Sequence, residues 1–442
     1  MRPNSRLMKS SLTGALAGLL FGIDMVVISG VIDTVTRLYG LGSMAKGLTV
    51  AVSPVGTVLG CFAAGVLGQR MGSRAALRWA AALYVLAALG STFSFGWPML
   101  LTTRFIGGLA VGAATVLGPV YITELAPAAW RGRLVASFQL MVVTGILLGY
   151  TSNFLVRLAG LGAIEWRVML SVALLPALIL LAALFRIPPS PRFLIAQGKT
   201  DEALAIMTEM GALNAREELA AIRAAMMSED AVAHEPVLRW KHRLPLFLAI
   251  SIGAFNQLSG VNAILMYQGT IFKAAGFSQL SGDAQAIAIG LANLIFTLVG
   301  MSLIDRFGRK SLLLVGAVFT TLCLLGVAWI FHTNSHQSLL IALLVGFIGF
   351  FALSQGAVIW VYLGEIFPTS VRAKGQGVGS ASHWIVNTLL ALVFPTLVLQ
   401  MGKETPFLFF AAATVVQFVV VLFFYPETKG QTLEELQQKL VR

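Results

Sequence analysis

Apolar stretches of about 20 residues recur along the whole chain and constrain its fold more than any other feature. A helix of that length crosses the hydrocarbon core of a bilayer, and inside lipid a helix satisfies its own backbone hydrogen bonds. Only 11% of the 442 residues are charged, whereas soluble domains carry about 25%. We therefore predict an all-α membrane protein. The twelve predicted spans are 12–32, 48–67, 75–95, 100–120, 134–155, 168–187, 244–272, 284–304, 312–331, 339–363, 378–399 and 406–425.

The first span follows three basic residues, an arrangement that signal peptides also show. Its apolar stretch is too long for a signal peptide, it contains Asp24, and eleven further spans follow. We therefore predict that it is retained as the first transmembrane helix. Cys61 and Cys323 both fall inside spans and imply no disulfide framework.

The net charge of +12 is explained by topology. When the loops are assigned to alternate sides of the membrane, most Lys and Arg residues fall on the side of both termini. The positive-inside rule places that side, with the long polar segment 188–243, in the cytoplasm. The charge therefore requires no nucleic acid partner. A Gly-rich phosphate loop and a histidine–carboxylate cluster are both missing from the sequence, so we predict no cofactor and no ATP-driven step.

Two motifs repeat at nearly the same spacing in the two halves of the chain. The first motif, Glu-x-x-Pro-x-x-x-Arg, begins at Glu124 and again at Glu365. The second motif is Arg70-Met-Gly-Ser-Arg74, which recurs as Arg306-Phe-Gly-Arg-Lys310. Such a repeat indicates duplication of a six-helix unit, with a substrate site between the halves near the midplane. The predicted domains are 1–187, a cytoplasmic linker with short helices at 188–243, a second bundle at 244–425 and a tail at 426–442.

Small residues at four-residue spacing occur within several spans. Such spacing lets helices approach closely and indicates a packed bundle without identifying a substrate. The pairs are Gly56 and Gly60, Gly108 and Gly112, and Gly145 and Gly149.

Asp24 lies in the middle of the first span, where a charge costs a few kcal/mol or more unless it is paired, hydrated or neutralised. One interpretation is a helix-end acid that reaches the membrane surface. The alternative, which we favour because apolar residues flank it on both sides, is a titratable group on a water-filled path. Arg104, in the fourth span, is either an interfacial anchor or the partner of Asp24. Protonating Asp24 would release that partner and bias the protein between two conformations.

The repeated motifs lie at predicted cytoplasmic ends of spans. Their arginines can bind carboxylates and the last carbonyls of neighbouring helices, and a network that closes in one state and opens in another acts as a gate. Ordinary positive-inside anchoring is the other interpretation. Because the motifs recur in both halves, we favour the gate.

Uncharged amides lie deep in several spans, together with an aromatic ring and a histidine. Such a set offers donors, acceptors and a flat apolar face, which suits a sugar or polyol better than a lipid or a strongly charged ligand. For any single amide, hydrogen bonding between helices is an equally good explanation. His383 is either a satisfied core residue or a second proton carrier. The set comprises Gln139, Asn256, Gln257, Asn262, Asn293, Asn387, Trp360 and His383.

Several separate motifs make the chain similar to the sugar porter family of the major facilitator superfamily, over essentially its whole length. They are the first-span Leu20-Phe-Gly-x-Asp24-x-x-Val-Ile-Ser-Gly30, Pro188-Pro-Ser-Pro-Arg192, Asn256-Gln-Leu-Ser-Gly-Val-Asn262, Asp305-Arg-Phe-Gly-Arg-Lys310 and Pro426-Glu-Thr-Lys-Gly430. The resemblance implies two pseudo-symmetric six-helix halves, the major facilitator fold. It also implies a functional monomer in the bilayer.

The resemblance further implies roles for individual residues. Asp24 matches the acid of proton-coupled members, and Arg104 matches its partner. The residues expected to contact or surround the sugar are Gln139, Asn256, Gln257, Asn262, Asn293, Gly356, Trp360 and His383. The residues expected to form the cytoplasmic gate are Arg70, Arg74, Glu124, Arg131, Asp305, Arg306, Arg309, Glu365 and Arg372.

The chain also departs from the family pattern. Gln69 and Ser73 replace an acid and an arginine, so we expect a weaker gate in the first half. The departures around the sugar site, which leave the identity of the sugar open, are Asn256 for glutamine, Met266 for an aromatic residue, Ala357 for proline and His383 for an amide. Pro189 replaces a glutamate in the loop motif.

We expect proton-coupled import of a monosaccharide, a hexose or a pentose, by alternating access. A facilitative uniporter without proton coupling is the nearest alternative. A non-transporting sugar sensor is the alternative from another class, and the short predicted tails argue against it. The absence of an Asn-x-Ser/Thr site and the short loops favour a bacterial inner membrane.

Overall fold

The structure, a computed structural model, describes residues 4–127, 130–212, 214–232, 236–367, 371–429, 436 and 440. The side chains of 131, 225–232, 305, 372 and 373 lie outside the described part. Three predicted gate side chains, Arg131, Asp305 and Arg372, are therefore outside it as well.

The described residues form helices and connecting turns, without any strand. In the described part of the chain, twelve helical segments are long and apolar enough to cross a membrane, which confirms the predicted all-α class and the number of spans. The helices are α1 (Ser5–Leu38), α2 (Ser43–Met71), α3 (Ser73–Thr92), α4 (Trp97–Leu125), α5 (Arg131–Leu158), α6 (Glu165–Ser171), α7 (Leu174–Leu184), α8 (Pro191–Ala196), α9 (Thr200–Glu209), α10 (Ala215–Val232), α11 (Arg243–Leu258), α12 (Val261–Met266), α13 (Gln268–Ala274), α14 (Gln279–Phe307), α15 (Arg309–Thr333), α16 (Leu340–Phe351), α17 (Ala357–Glu365), α18 (Arg372–Met401) and α19 (Thr405–Phe424).

By internal contacts the chain divides into two compact units. The first comprises Met1–Val31 and Val52–Val232, and the second comprises Ile32–Ala51 and Ala233–Arg442. The linker helices α8 to α10 thus belong to the first unit, and the end of α1 with the start of α2 belongs to the second. The domain boundaries drawn from the sequence stay a prediction.

Glycines bring α2 and α4 into backbone contact within the first unit. A Cβ on Gly108 would meet the backbone of Ser53, and a Cβ on Gly56 would meet the backbone of Phe105 and Leu109. Both glycines belong to the four-residue pairs found in the sequence. Since only glycine fits at such a crossing, these pairs explain how two transmembrane helices approach this closely.

The seventh span of the chain is broken inside the second unit. Helix α11 ends at Leu258, Gly260 adopts φ +84°, and α12 begins at Val261. Glycine is required here because the left-handed backbone disfavours other residues and because a Cβ would meet the ring of Phe410. The break separates Gln257 from Asn262, which therefore lie on two different helices.

The linker carries the short helices that the sequence predicts. Helices α8, α9 and α10 pack around a small apolar cluster that includes Leu194, Met207 and Leu219. Ser190 caps α8, since its hydroxyl accepts a hydrogen bond from the backbone N–H of Phe193 at 3.3 Å. This cluster gives the polar linker its own core.

Candidate functional site

The Asp24 carboxylate is buried in the first unit and receives hydrogen bonds from three different helices. Arg104 on α4 donates from Nη1 to Oδ1 at 3.0 Å, and Tyr84 on α3 donates to the same oxygen at 2.9 Å. Ser53 on α2 donates to Oδ2 at 3.0 Å. Asp24 is 7% exposed and Arg104 6% exposed. The structure therefore brings together the two residues that the sequence singled out as a pair.

This arrangement compensates a charge that lipid would otherwise exclude. An ionised carboxylate only accepts hydrogen bonds, and here each oxygen has at least one donor, one of them charged. The pair lines a cleft whose other walls include Ser91 and Thr103.

Sequence reasoning missed Tyr84 and Ser53. Tyr84 lies on the buried face of α3, where its neighbours are mostly alanines. A single large phenol on an alanine-rich face was a signal that some polar group needs a donor there. Ser53 gives no comparable signal, because serine is common in membrane helices and usually bonds its own backbone.

A second acid on α1, Asp33, also escaped the sequence interpretation. It lies in the second unit, where Lys46 Nζ donates to its Oδ1 at 2.7 Å and the Thr270 hydroxyl donates to the same oxygen at 3.1 Å. The charged partner of Asp33 is thus a lysine of α2. Unlike Asp24, it has no arginine partner among the described residues.

Four of the predicted sugar residues form one contact group in the second unit. Gln257 Nε2 lies 3.0 Å from Asn256 Oδ1 and 3.1 Å from Nε2 of His383. The ring of Trp360 lies 5.4 Å from that of His383, centroid to centroid. Asn256, Gln257 and His383 are buried, whereas Trp360 is 43% exposed. A flat, accessible indole next to buried amides fits the face of a sugar ring.

The side chains of the remaining predicted sugar residues form no hydrogen bond with that group in the described part of the chain. Asn262 is half-buried in the first turn of α12, and Asn293 is buried on α14. Neither amide hydrogen-bonds to another described side chain. Gly356 ends a π-helical turn, Ala352–Gly356, between α16 and α17. Gln139 is half-buried on α5 in the first unit.

The first-half gate motif is held by hydrogen bonds to neutral groups. Glu124 accepts a hydrogen bond from the Ser73 hydroxyl at 2.6 Å, and Arg74 donates to the Ile187 carbonyl at 2.8 Å. Arg70, at the end of α2, forms no ion pair with the described residues. Ser73, one of the departures from the family pattern, thus supplies a neutral donor to Glu124.

The second-half motif contains a true ion pair. Arg309 Nη2 donates to Glu365 Oε1 at 2.9 Å, and the Thr428 hydroxyl donates to Oε2 at 2.6 Å. Arg306 offers its backbone carbonyl to Lys429 Nζ at 2.6 Å. The described side chains thus include a charged contact in this half and none in the first-half motif, and the expected difference in strength between the two gates stays a prediction.

Glu427 caps the N-terminus of α15, a role that the motif alone did not indicate. Its carboxylate accepts the backbone N–H of Arg309 at 2.8 Å and that of Lys310 at 3.0 Å. Burial raises its pKa, but hydrogen bonds from four backbone N–H groups outweigh burial, so the pKa of Glu427 lies below its ordinary value of 4.5. A carboxylate at a helix N-terminus also interacts favourably with the helix dipole. Glu427 therefore holds the segment after α19 against α15.

The chain is similar in sequence and in structure to known sugar–proton symporters. The chain is 34% identical to an arabinose-proton symporter of Bacillus subtilis (strain 168), over 98% of the chain and 94% of that protein. It is 30% identical to a D-xylose-proton symporter of Escherichia coli (strain K12), over 98% and 96%. The inward-open structure of the xylose transporter XylE from E. coli superposes with a TM-score of 0.88 at 29% identity, covering 98% of the chain and all of that structure.

The superposition identifies the architecture as the twelve-helix major facilitator fold. A model of the family described as "Sugar (and other) transporter" matches residues 10–440. The family comprises transporters and not enzymes, and the match spans both units and the linker. The chain belongs to the sugar transporter family.

Proposed function

We propose that the chain imports a monosaccharide, a hexose or a pentose, together with a proton by alternating access. Two relatives named above are proton-coupled pentose symporters, which supports the choice of substrate class and of coupling ion. In this proposal the protein works as a monomer in a bacterial inner membrane, with both termini in the cytoplasm. It uses no cofactor beyond the coupled proton.

The contact between Asp24 and Arg104 is the observation that carries the proposal. The carboxylate on α1 is tied to α2, α3 and α4 through Ser53, Tyr84 and Arg104. Protonation removes the negative charge that holds Arg104 and converts one carboxylate oxygen into a donor. The bonds among four helices then change at once, so a proton shifts the balance between conformations.

The substrate site in this proposal uses the predicted sugar residues. Sugars present hydroxyls that donate and accept, and a C–H face that packs on an aromatic ring. The group around Gln257 supplies neutral hydrogen-bonding atoms beside the exposed face of Trp360. Glu365, Arg309 and Thr428 form the second-half gate, in which the ion pair breaks when the cytoplasmic side opens.

A panel of radiolabelled sugars in proteoliposomes tests the proposal. D-xylose, L-arabinose and D-glucose are offered with and without an imposed inward proton gradient. Accumulation of one sugar above its external concentration, only when the gradient is present, supports symport. Sugar that equilibrates across the membrane at the same rate with and without the proton gradient would instead identify a uniporter. Sugar binding without flux would identify a sensor.

A further inference from the structure

Asp33 lies in a small charged cluster that the proposed proton and sugar sites do not use. Its Oδ1 accepts hydrogen bonds from Lys46 Nζ at 2.7 Å and from the Thr270 hydroxyl at 3.1 Å. Lys46 Nζ also donates to the Thr270 hydroxyl oxygen at 3.2 Å. These three residues, which we call the latch, join the end of α1 and the start of α2 to α13. Because α1 crosses the membrane once, the latch lies on the side opposite the N-terminus.

The latch is better shielded from water than an ordinary surface ion pair. Only 17% of the Asp33 side chain and 14% of the Lys46 side chain is exposed. Partial burial reduces competition from water and salt, so a charged hydrogen bond holds more firmly here than at full exposure. Lys273 Nζ lies 4.0 Å from the other carboxylate oxygen, but its side chain is 58% exposed. Among the described residues of α13, Thr270 therefore makes the main contact with Asp33 and Lys46.

Helix α1 carries its two acids on opposite faces. Nine residues separate Asp24 from Asp33, which is about two and a half helical turns and about 13.5 Å along the axis. Their side chains therefore point in opposite directions from one helix. The partners of Asp24 lie in the first unit, whereas those of Asp33 lie in the second. Helix α1 thus connects the proton site to the latch.

The part of α1 that precedes the latch is bound to α5. Asn153 Nδ2 donates to the Val27 carbonyl at 3.3 Å, and Arg157 Nη2 donates to the Gly30 carbonyl at 3.0 Å. Both carbonyls lie in the stretch of α1 that belongs to the first unit. No proline interrupts α1, so a displacement of this stretch carries Asp33 with it.

The start of α2 lies close to α18 beside the latch. A Cβ on Gly47 would meet the backbone carbonyl of Leu392, and the hydroxyls of Ser43 and Thr396 lie 3.5 Å apart. At a glycine two helix backbones touch without an inserted side chain. This contact can therefore part without withdrawing a buried side chain.

We propose that the latch holds the ends of α1 and α2 on α13 in the conformation described here and opens once in every transport cycle. The inference rests on the proposed function, because a contact needs to open only in a protein that alternates between conformations. When the bonds of Asp24 change on protonation, α1 shifts and moves Asp33 relative to Thr270. Asp33 lies near the end of its helix, where water hydrates the separated charges. The latch thus governs the speed of the cycle, while Asp24 couples the cycle to the proton.

Hydrogen–deuterium exchange of the purified full chain, without sugar, measures how often the latch opens. Opening exposes α13, so the exchange rate of its backbone amides rises with the open population. Thr270→Val keeps the shape of the side chain and removes its hydroxyl. We expect this variant and Asp33→Asn each to exchange the α13 amides about threefold to tenfold faster. Lys273→Gln, the matched control on the same helix, should stay within about twofold of the unaltered protein.

The comparison of these variants can overturn the inference. If Asp33→Asn speeds exchange in α13 and Thr270→Val does not, the pair of Asp33 and Lys46 only fastens α1 to α2. If Lys273→Gln speeds exchange as much as Thr270→Val, the overall charge of the region holds the helices, and the latch does not. Unchanged exchange in the linker helix α9 verifies that each variant is folded.

A reversible cross-link tests whether the contact opens during transport. Ser43→Cys and Thr396→Cys are combined in a chain whose Cys61 and Cys323 are changed to alanine. Oxidation should join the two new cysteines and abolish uptake of the sugar found by the uptake panel, and dithiothreitol should restore it. Uptake by the joined protein at the rate of the reduced protein would show that the contact stays closed throughout the cycle. Cysteines that do not join would place the two helices apart. Either result overturns the inference.

Failure of the proposed function looks different. In that case none of the three sugars crosses the membrane in the unaltered protein, with or without a proton gradient. The exchange measurement needs no sugar, so it tests the latch separately from the substrate and the coupling ion.

Discussion

Arg104 and Tyr84 donate to the same oxygen of Asp24, at 3.0 and 2.9 Å, while the other oxygen takes, among the described residues, only the hydroxyl of Ser53. The carboxylate is therefore asymmetric: one oxygen carries a charged and a phenolic donor, and the other a single neutral one. The oxygen with the single neutral donor is the more basic of the two, because hydrogen bonds and a nearby positive charge stabilise the ionised form of the other, so we expect protonation there. Protonation there replaces an acceptor beside Ser53 with a donor and leaves Arg104 without a full counter-charge.

Asp24→Asn should abolish accumulation of sugar against its gradient while sugar exchange across the membrane continues. The asparagine keeps the shape of the side chain and a hydrogen-bond acceptor for Arg104, but it no longer titrates. Uptake driven by an imposed proton gradient and exchange of labelled sugar are measured in the same proteoliposomes. We expect driven accumulation to fall about tenfold or more, with the exchange rate within a few-fold of the unaltered protein.

Asp33→Asn is the matched control for this prediction. It removes another acid of the same helix, one that is paired with Lys46 instead of an arginine. Uptake by this variant should still depend on the proton gradient, even if its overall rate falls. Normal accumulation in Asp24→Asn, or loss of gradient dependence only in Asp33→Asn, would refute the coupling role of Asp24.

Arg104→Gln should destabilise the protein more than the double variant Arg104→Gln with Asp24→Asn. Removing one partner of a buried pair leaves a charge without compensation, a loss of about 3–5 kcal/mol, whereas removing both leaves two neutral groups. The midpoint of thermal denaturation in detergent measures the difference. Equal midpoints for the single and double variants would mean that Asp24 is already neutral or hydrated when Arg104 is present.

The spans and the Asp24–Arg104 pair were predictable, because each follows from a strong physical constraint. An isolated charge in lipid requires a partner, and Arg104 was the charge available within a span. Ser53 was not identified, since a serine hydroxyl in a span is inexpensive and leaves no pattern, and the phenol of Tyr84 on its alanine-rich face was a signal that the interpretation missed.

The cap formed by Glu427 predicts a specific pH dependence. The folded pKa is below 4.5, so the cap contributes stability above about pH 4.5 that is lost as the pH falls through the lower folded value. Glu427→Gln should lower the denaturation midpoint at pH 7 by roughly 2–4 °C and should flatten its decline between pH 5 and the acid limit of folding. Glu202→Gln, which changes an exposed acid of α9, is the control and should leave both unchanged. A decline in Glu427→Gln as steep as in the unaltered protein would assign the acid sensitivity to other carboxylates.

Gly108→Ala should move the Ser53 hydroxyl away from Asp24, whereas Gly107→Ala should not. A Cβ on Gly108 would lie 2.9 Å from the carbonyl carbon of Ser53, so α2 must move away from α4 and carry the Ser53 hydroxyl from Asp24. A Cβ on Gly107 would make an ordinary contact of 3.6 Å with Ala87. We expect Gly108→Ala to lose about 1–3 kcal/mol of stability and most of its proton-driven uptake. If both variants behave alike, the close approach of α2 and α4 does not position Ser53, and the hydroxyl reaches Asp24 without help from the glycine.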